Sequence, residues 1–295
     1  MKSSAGILFI LLNVFFTSEG QHLPLYASEF DVDASVYAIT ETACDFNYDS
    51  RKCETQWERV LIFSEDGKLL SEETRITGKP SDLKTLHYDD LERLSEVKHN
   101  GRTKLALRYI QKQDTLVVSE TSSEQIKTIY HIYNGTALDH SLMYLDDTLD
   151  GVITYTYTGQ HLDKKNIQFY TENGEKRYTE EHQYRNGKIT VFKKLKKPGD
   201  NKSCFYTYNS NNGALAFEEI VKPGRETTIA RNCNYINEGK YWIAKGEEYS
   251  SVPDIASEPS DKQKHIFYFR KIELHNGRSL GSSKIDKDFV REEIR

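Results

Sequence analysis

The chain alternates. "VITYTY" sets Ile153, Tyr155 and Tyr157 on one side and Val152, Thr154 and Thr156 on the other. "HIFYFRKIEL" sets Ile266, Tyr268, Ile272 and Leu274 against Phe267 and Phe269. A period of two in β-branched and aromatic residues is the pattern of half-buried strands. Between such runs stand Asn-Gly, Asp-Gly, Thr-Gly or Glu-Gly pairs. Glycine takes φ > 0 without a clash, so these pairs predict hairpin turns. Helical spacing is confined to "SKIDKDFVREEIR" at the C-terminus, where Ile285, Phe289, Val290 and Ile294 share one side. That segment predicts a short docked helix or a frayed tail.

The pattern repeats. "YNGTALD" (Tyr133 to Asp139) recurs 24 positions later as "YTGQHLD" (Tyr157 to Asp163). Looser copies carry an aromatic, a turn, a glycine and a leucine or isoleucine. Their aromatic anchors are Phe63, Tyr88, Tyr109, Tyr133, Tyr157, Tyr184, Tyr208 and Tyr235, spaced by 21 to 27 residues. In "YDDLERL" Glu92 stands where the glycine should be. Two strands plus turns account for a period near 24, which lies in the range of repeat architectures. The expectation is an all-β fold, an antiparallel meander or array of hairpins over residues 57–281. Residues 21–56 would cap its open edge, residues 250–264 would form a long loop, and residues 282–295 a tail or helix. Each anchor is expected to stack on its counterpart in the next unit.

The N-terminus changes the setting. Lys2, the apolar run Gly6 to Phe16 and the small residues Ser18 and Gly20 predict a secretory signal peptide over residues 1–20. The run is too short to span a bilayer, and no other long apolar stretch follows. The expected product has no transmembrane segment after cleavage and is secreted, periplasmic or on the cell surface. Cys44, Cys53, Cys204 and Cys233 are an even set in an exported chain. Three pairings exist; the spacing suits Cys44–Cys53 and Cys204–Cys233, with other pairings or free thiols left open.

Candidate chemistry is sparse. The net charge is −5 and no basic stripe is present, which excludes the usual nucleic-acid partners. None of the standard hydrolase, zinc, phosphate-loop or dinucleotide signatures occurs. Asp146 to Gly151, "DDTLDG", carries carboxylates at two calcium-loop positions but has Tyr157 where the bidentate Glu belongs, so it reads as an acidic turn. The nine histidines show no ligand spacing. No metal and no cofactor is expected. Lys193, Lys194, Lys196 and Lys197 form one basic cluster, and Tyr241 and Trp242 lie off the aromatic anchor position. These six residues are the candidate contact surface, for a protein or a glycan.

The stretch "YDDLERLSEVKHNGRTKLALRY" resembles a YD repeat of the Rhs type. Tyr88, Asp89, Arg93, Leu94, Asn100, Gly101 and Tyr109 carry that resemblance. The looser units are similar to MORN-variant repeats as well. The resemblance implies a short exported bacterial hairpin array. No Asp-Pro occurs, so the self-cleaving motif of large Rhs toxins does not carry over. The expected function is therefore a non-catalytic binding or structural protein of the envelope or extracellular space. The alternative is an exported glycosidase-like hydrolase. Its carboxylates would come from different strands, because doublets such as Glu72-Glu73 or Glu180-Glu181 split across the two faces of a strand.

Overall fold

The computed structural model describes residues 26–196, 201–208, 215–221, 228–252 and 264–294. The expected signal peptide lies outside them, as do Lys197 and most of the expected long loop. The strands are β1 (Val36–Asn47), β2 (Lys52–Phe63), β3 (Leu69–Ile76), β4 (Asp82–Tyr88), β5 (Leu94–His99) and β6 (Arg102–Lys112). They continue as β7 (Thr115–Ser122), β8 (Ile126–Asn134), β9 (Ala137–Leu145), β10 (Thr148–Thr158), β11 (His161–Tyr170), β12 (Lys176–Arg185) and β13 (Lys188–Leu195). The last are β14 (Lys202–Tyr208), β15 (Leu215–Val221), β16 (Thr228–Glu238), β17 (Tyr241–Val252), β18 (Lys264–Leu274) and β19 (Ser279–Gly281), followed by helix α1 (Lys287–Glu293).

Every strand pairs antiparallel with its sequence neighbours, as a hairpin array requires. The array is not open. β1 pairs with β2 on one side and with β18 on the other, from Val36↔Leu274 to Asp45↔Ile266. Eighteen strands thus close into a barrel, and β19 adds a short lip beside β18. The segment expected to cap an edge supplies the strand that abolishes both edges. Closure satisfies the backbone groups that an open edge would leave unpaired.

One face of this sheet is the interior. Inward side chains converge and outward ones diverge. The fully covered Ile39, Leu61, Ile129, Ile153 and Ile167 share one face through direct cross-strand partners. The exposed Leu83, Ile110, Tyr130 and Phe205 lie on the other. Helix α1 docks on the outside. Its N-cap Asp286 accepts from the amides of Asp288 and Phe289. Phe289 meets Phe267 at 5.9 Å and Phe269 at 6.2 Å, covering the two outward phenylalanines of β18.

The turns follow the expected chemistry. Gly135 and Gly159 sit at φ +65 and +61, the first central residue of two-residue turns. Glu92 takes φ +63, the conformation that Gly67 takes in the equivalent turn. The anchors do not stack on one another. They occupy every second strand, about 10 Å apart, beyond the 4.5–7 Å of ring contact. Their hydroxyls reach back instead. Tyr88 donates to the Leu69 carbonyl (2.7 Å), Tyr109 to Leu94 (2.7 Å), Tyr208 to Ile189 (2.8 Å) and Tyr235 to Leu215 (2.6 Å). Each acceptor is the leucine or isoleucine that follows the turn of the preceding unit. This link gives a role to both the tyrosine and the leucine or isoleucine of those units.

The YD stretch is wired in the same way. Asp89 accepts from the amides of Leu91 (3.0 Å) and Arg93 (2.9 Å) and from Arg93 Nε (2.8 Å). The Arg93 guanidinium then lies 4.3 Å from the Tyr109 ring centroid. Burial pushes the Tyr109 hydroxyl up to about 12.

Candidate functional site

The interior carries a ribbon of alternating charge around the joint between the chain's two ends. Glu218 on β15 pairs with Arg231 on β16 (2.7 Å), which reaches Glu247 on β17 (3.3 Å). Glu247 also accepts from Lys245 (2.8 Å), Tyr249 (2.7 Å) and Tyr268 of β18 (3.1 Å). Arg270 of β18 pairs with Glu41 of β1, and its guanidinium lies 3.4 Å from the Trp242 ring centroid. Glu41 takes a second bond from Arg59 of β2 (2.9 Å). Glu72 of β3 lies 3.9 Å from Arg59 and 3.1 Å from Lys84 of β4. Ions with direct register partners of opposite sign form this ribbon, as in Glu218↔Arg231, Arg270↔Glu41, Glu41↔Arg59 and Glu72↔Lys84.

Two of these carboxylates, Glu41 and Glu247, are held ionised. Burial pushes Glu41 up, but Arg270 and Arg59 outweigh it and hold the carboxyl at about 2. Burial also opposes Lys245 and Arg231 at Glu247, which ends at about 2. On the far side, burial of Glu180 is outweighed by bonds from His182 and Lys194, and its carboxyl is likewise lowered. A general acid needs the opposite shift, toward the working pH. The four Glu doublets divide as the period of two dictates. Glu72, Glu180, Glu218 and Glu247 point inward to cations, while Glu73, Glu181, Glu219 and Glu248 point outward.

A serine–histidine pair was not foreseen. His131 Nδ1 lies 2.8 Å from Ser141 Oγ, which lies 3.4 Å from the Tyr155 hydroxyl. His131 and Ser141 are direct partners on β8 and β9, a proximity that only the register creates. Both are fully covered (0 % exposed), so no substrate reaches them. Among the described residues no group of three His, Cys, Asp or Glu could hold a metal ion.

The candidate contact residues are corrected by their faces. Tyr241 and Trp242 are buried inside. Tyr241 bonds Asp33 (2.8 Å) and Trp242 Nε1 donates to Asp31 (3.1 Å). The lysines do not form one surface. Lys194 points inward to Glu180 (2.8 Å), Lys193 lies outward opposite Glu181, and Lys196 is exposed at the end of β13. Cys44 and Cys53 form the expected disulfide, Cα atoms 5.5 Å apart. Cys204 and Cys233 are both free and buried, which corrects the second pairing. They sit on β14 and β16 with β15 between them, about 10 Å apart, and a disulfide closes only below about 7 Å. Burial pushes both thiols up.

Among the described residues the exterior carries a shallow groove of mixed polarity, invisible as a motif. Ile110, Val117, Tyr130, Leu142 and Val152 are successive direct partners on β6 to β10, the longest apolar row among the described outward residues. Beside it Tyr130 and Tyr144 meet edge to face at 5.5 Å. Tyr130, Leu142 and Tyr144, with Thr115, Thr128, Ile132 and Asp147, line a groove of about 480 Å³.

No family profile and no curated protein matches the chain. Solved structures match at low similarity, two of them porin-like proteins. One is a porin-like protein from Bacteroides uniformis, with 9% identity and a TM-score of 0.41, covering 86% of this chain and 100% of that one. The other is a porin-like protein from Bacteroides vulgatus, with 11% identity and a TM-score of 0.39, covering 66% of this chain and 95% of that one.

Proposed function

We propose that this chain is an exported, non-catalytic β-barrel protein that stands in water and works by binding. The observation that carries this reading is the outward face. It places Glu58, Glu73, Arg108, Lys164, Glu181, Lys193 and Glu219 on it, most of them well inside their strands. A lipid-facing belt is apolar, and a Lys or Arg at its midplane costs about 2–4 kcal/mol. The Cys44–Cys53 disulfide supports an oxidising compartment outside the cytoplasm. The Asp89–Arg93–Tyr109 wiring gives a physical role to the residues shared with YD-type repeats.

On this reading the groove at Tyr130 and Tyr144 is the binding face. Two tyrosine rings, two threonine hydroxyls and one carboxylate suit an uncharged ligand with apolar faces and many hydroxyls, which is the chemistry of a glycan. A glycan array with the full chain and with Tyr130→Ser/Tyr144→Ser tests it. Retention of a glycan by the parent protein and loss by the variant is the expected result. Retention of a protein from envelope extracts instead would reassign the partner, and retention of neither would leave a structural role. Recovery of the chain only from detergent extracts would overturn the aqueous location.

A further inference from the structure

Residues Tyr26–Ser35 precede β1 and run along the inner side of one rim. Their contacts reach both flanks of the joint between β1 and β18. On one flank, Ala27 N donates to the Gly67 carbonyl in the β2–β3 turn (2.7 Å), and Phe30 meets Phe63 of β2 at 5.6 Å. In the middle, Arg270 of β18 donates to the Phe30 carbonyl (2.9 Å). On the other flank, Asp31 accepts from Trp242 of β17, and Asp33 accepts from Tyr241 and pairs with Lys240 in the β16–β17 turn. The segment then turns back into β1 itself.

We infer that Tyr26–Ser35 is a strap that locks the barrel's joint shut. β1 and β18 are the neighbouring pair of the ring that lies farthest apart in sequence, with partners such as Arg270 and Glu41 that are 229 residues apart. Such a pairing carries the largest loop-closure entropy of the sheet and has no hairpin to fix its register. A tie between the β2–β3 turn and the β16–β17 turn spans that joint from outside the ladder. Asp31 and Asp33 are its keys on the far flank, and release of those keys frees the two terminal strands to part.

Hydrogen exchange on the full chain tests the strap, comparing the parent protein with Asp31→Asn/Asp33→Asn and with the milder Lys240→Ala. Amides of Val36–Asn47 and Lys264–Leu274 should exchange about tenfold faster in the double variant, while those of Arg102–Leu145 stay unchanged. Gly135→Val serves as the control for general loss of stability and should raise exchange all round. Thr40→Cys/Lys271→Cys, direct partners across the joint, should suppress the excess exchange of the strap variant when oxidised and not when reduced. Unchanged exchange at the joint, an equal rise around the whole barrel, or failure of the formed crosslink to suppress it would each overturn the strap.

Discussion

Two halves of one barrel use the same hairpin and hold it with different chemistry. Around β15–β18 and β1–β4 a ribbon of paired ions around Glu247 and Glu41 crosses the interior beside the apolar cluster of Ile39, Leu61, Phe63 and Ile272. Around β8–β12 the interior is mostly apolar beside a few buried polar groups such as His131, Lys165 and Glu180: Ile129, Met143, Ile153, Ile167 and Phe169 pack together, with Phe169 stacked on Tyr178 at 4.4 Å. The difference follows from connectivity. In the second half each strand is placed by the turn before it, so the buried cluster there is not needed to set the register. At the joint no turn sets the register. Apolar groups tolerate a slip of two residues, whereas a slip there would set Arg270 and Arg59 away from Glu41 and strand a buried charge.

The largest effect should come from breaking the ribbon. Arg270→Met leaves Glu41 short of one partner inside the protein and should cost about 3–5 kcal/mol in urea unfolding. Ile153→Val, in the apolar half, should cost only about 1 kcal/mol in the same assay. Similar losses in the two variants would erase the distinction between the halves.

Acid should act on the ribbon half. Glu41 and Glu247 sit at about 2 when folded, below an ordinary 4.5. A lowered folded value adds stability that is complete above about 4.5 and is lost as the pH falls toward 2, up to roughly 3 kcal/mol for each group. Melts from pH 6 to pH 2 read this directly. Glu41→Gln should remove part of the slope, and an unchanged slope would show that other carboxylates carry it.

The turns come next. Gly135→Val and Gly159→Val force a β-branched residue into φ above +60 and should each cost about 1–3 kcal/mol. Thermal melts matching the parent protein would refute the turn assignment. Tyr235→Phe removes the bond to the Leu215 carbonyl and should cost about 1 kcal/mol. The smallest effect belongs to the groove. Tyr130→Ser should shift stability by less than about 0.5 kcal/mol, since the ring is already 37% exposed, and should show itself only in binding.

Much of the local structure was readable from the letters. The alternation of "VITYTY" places Ile153 inside and Thr154 outside, and Glu92 occupies the glycine position of its turn. The even spacing of Cys204 from Tyr208 and of Cys233 from Tyr235 does set both sulfurs on the inner face. It cannot count the strand between them, which keeps the thiols apart. Tyr241 and Trp242 looked free because nothing nearby in sequence covers them; their partners Asp31 and Asp33 lie more than 200 residues away. The run of lysines looked like one patch because composition ignores the two-residue period that sends Lys194 inward and Lys193 outward.

The sequence by itself determined the strand, the turn and the repeat, because each depends on contacts within about a dozen residues: alternation, φ > 0 at a glycine, and two strands per unit. It also determined that the Glu doublets would divide between faces. Only the tertiary structure decided that the array closes, since closure is a pairing between the first and last strands and leaves no local mark. That single pairing made one face an interior and joined Glu, Arg and Lys residues from both ends of the chain into one ribbon.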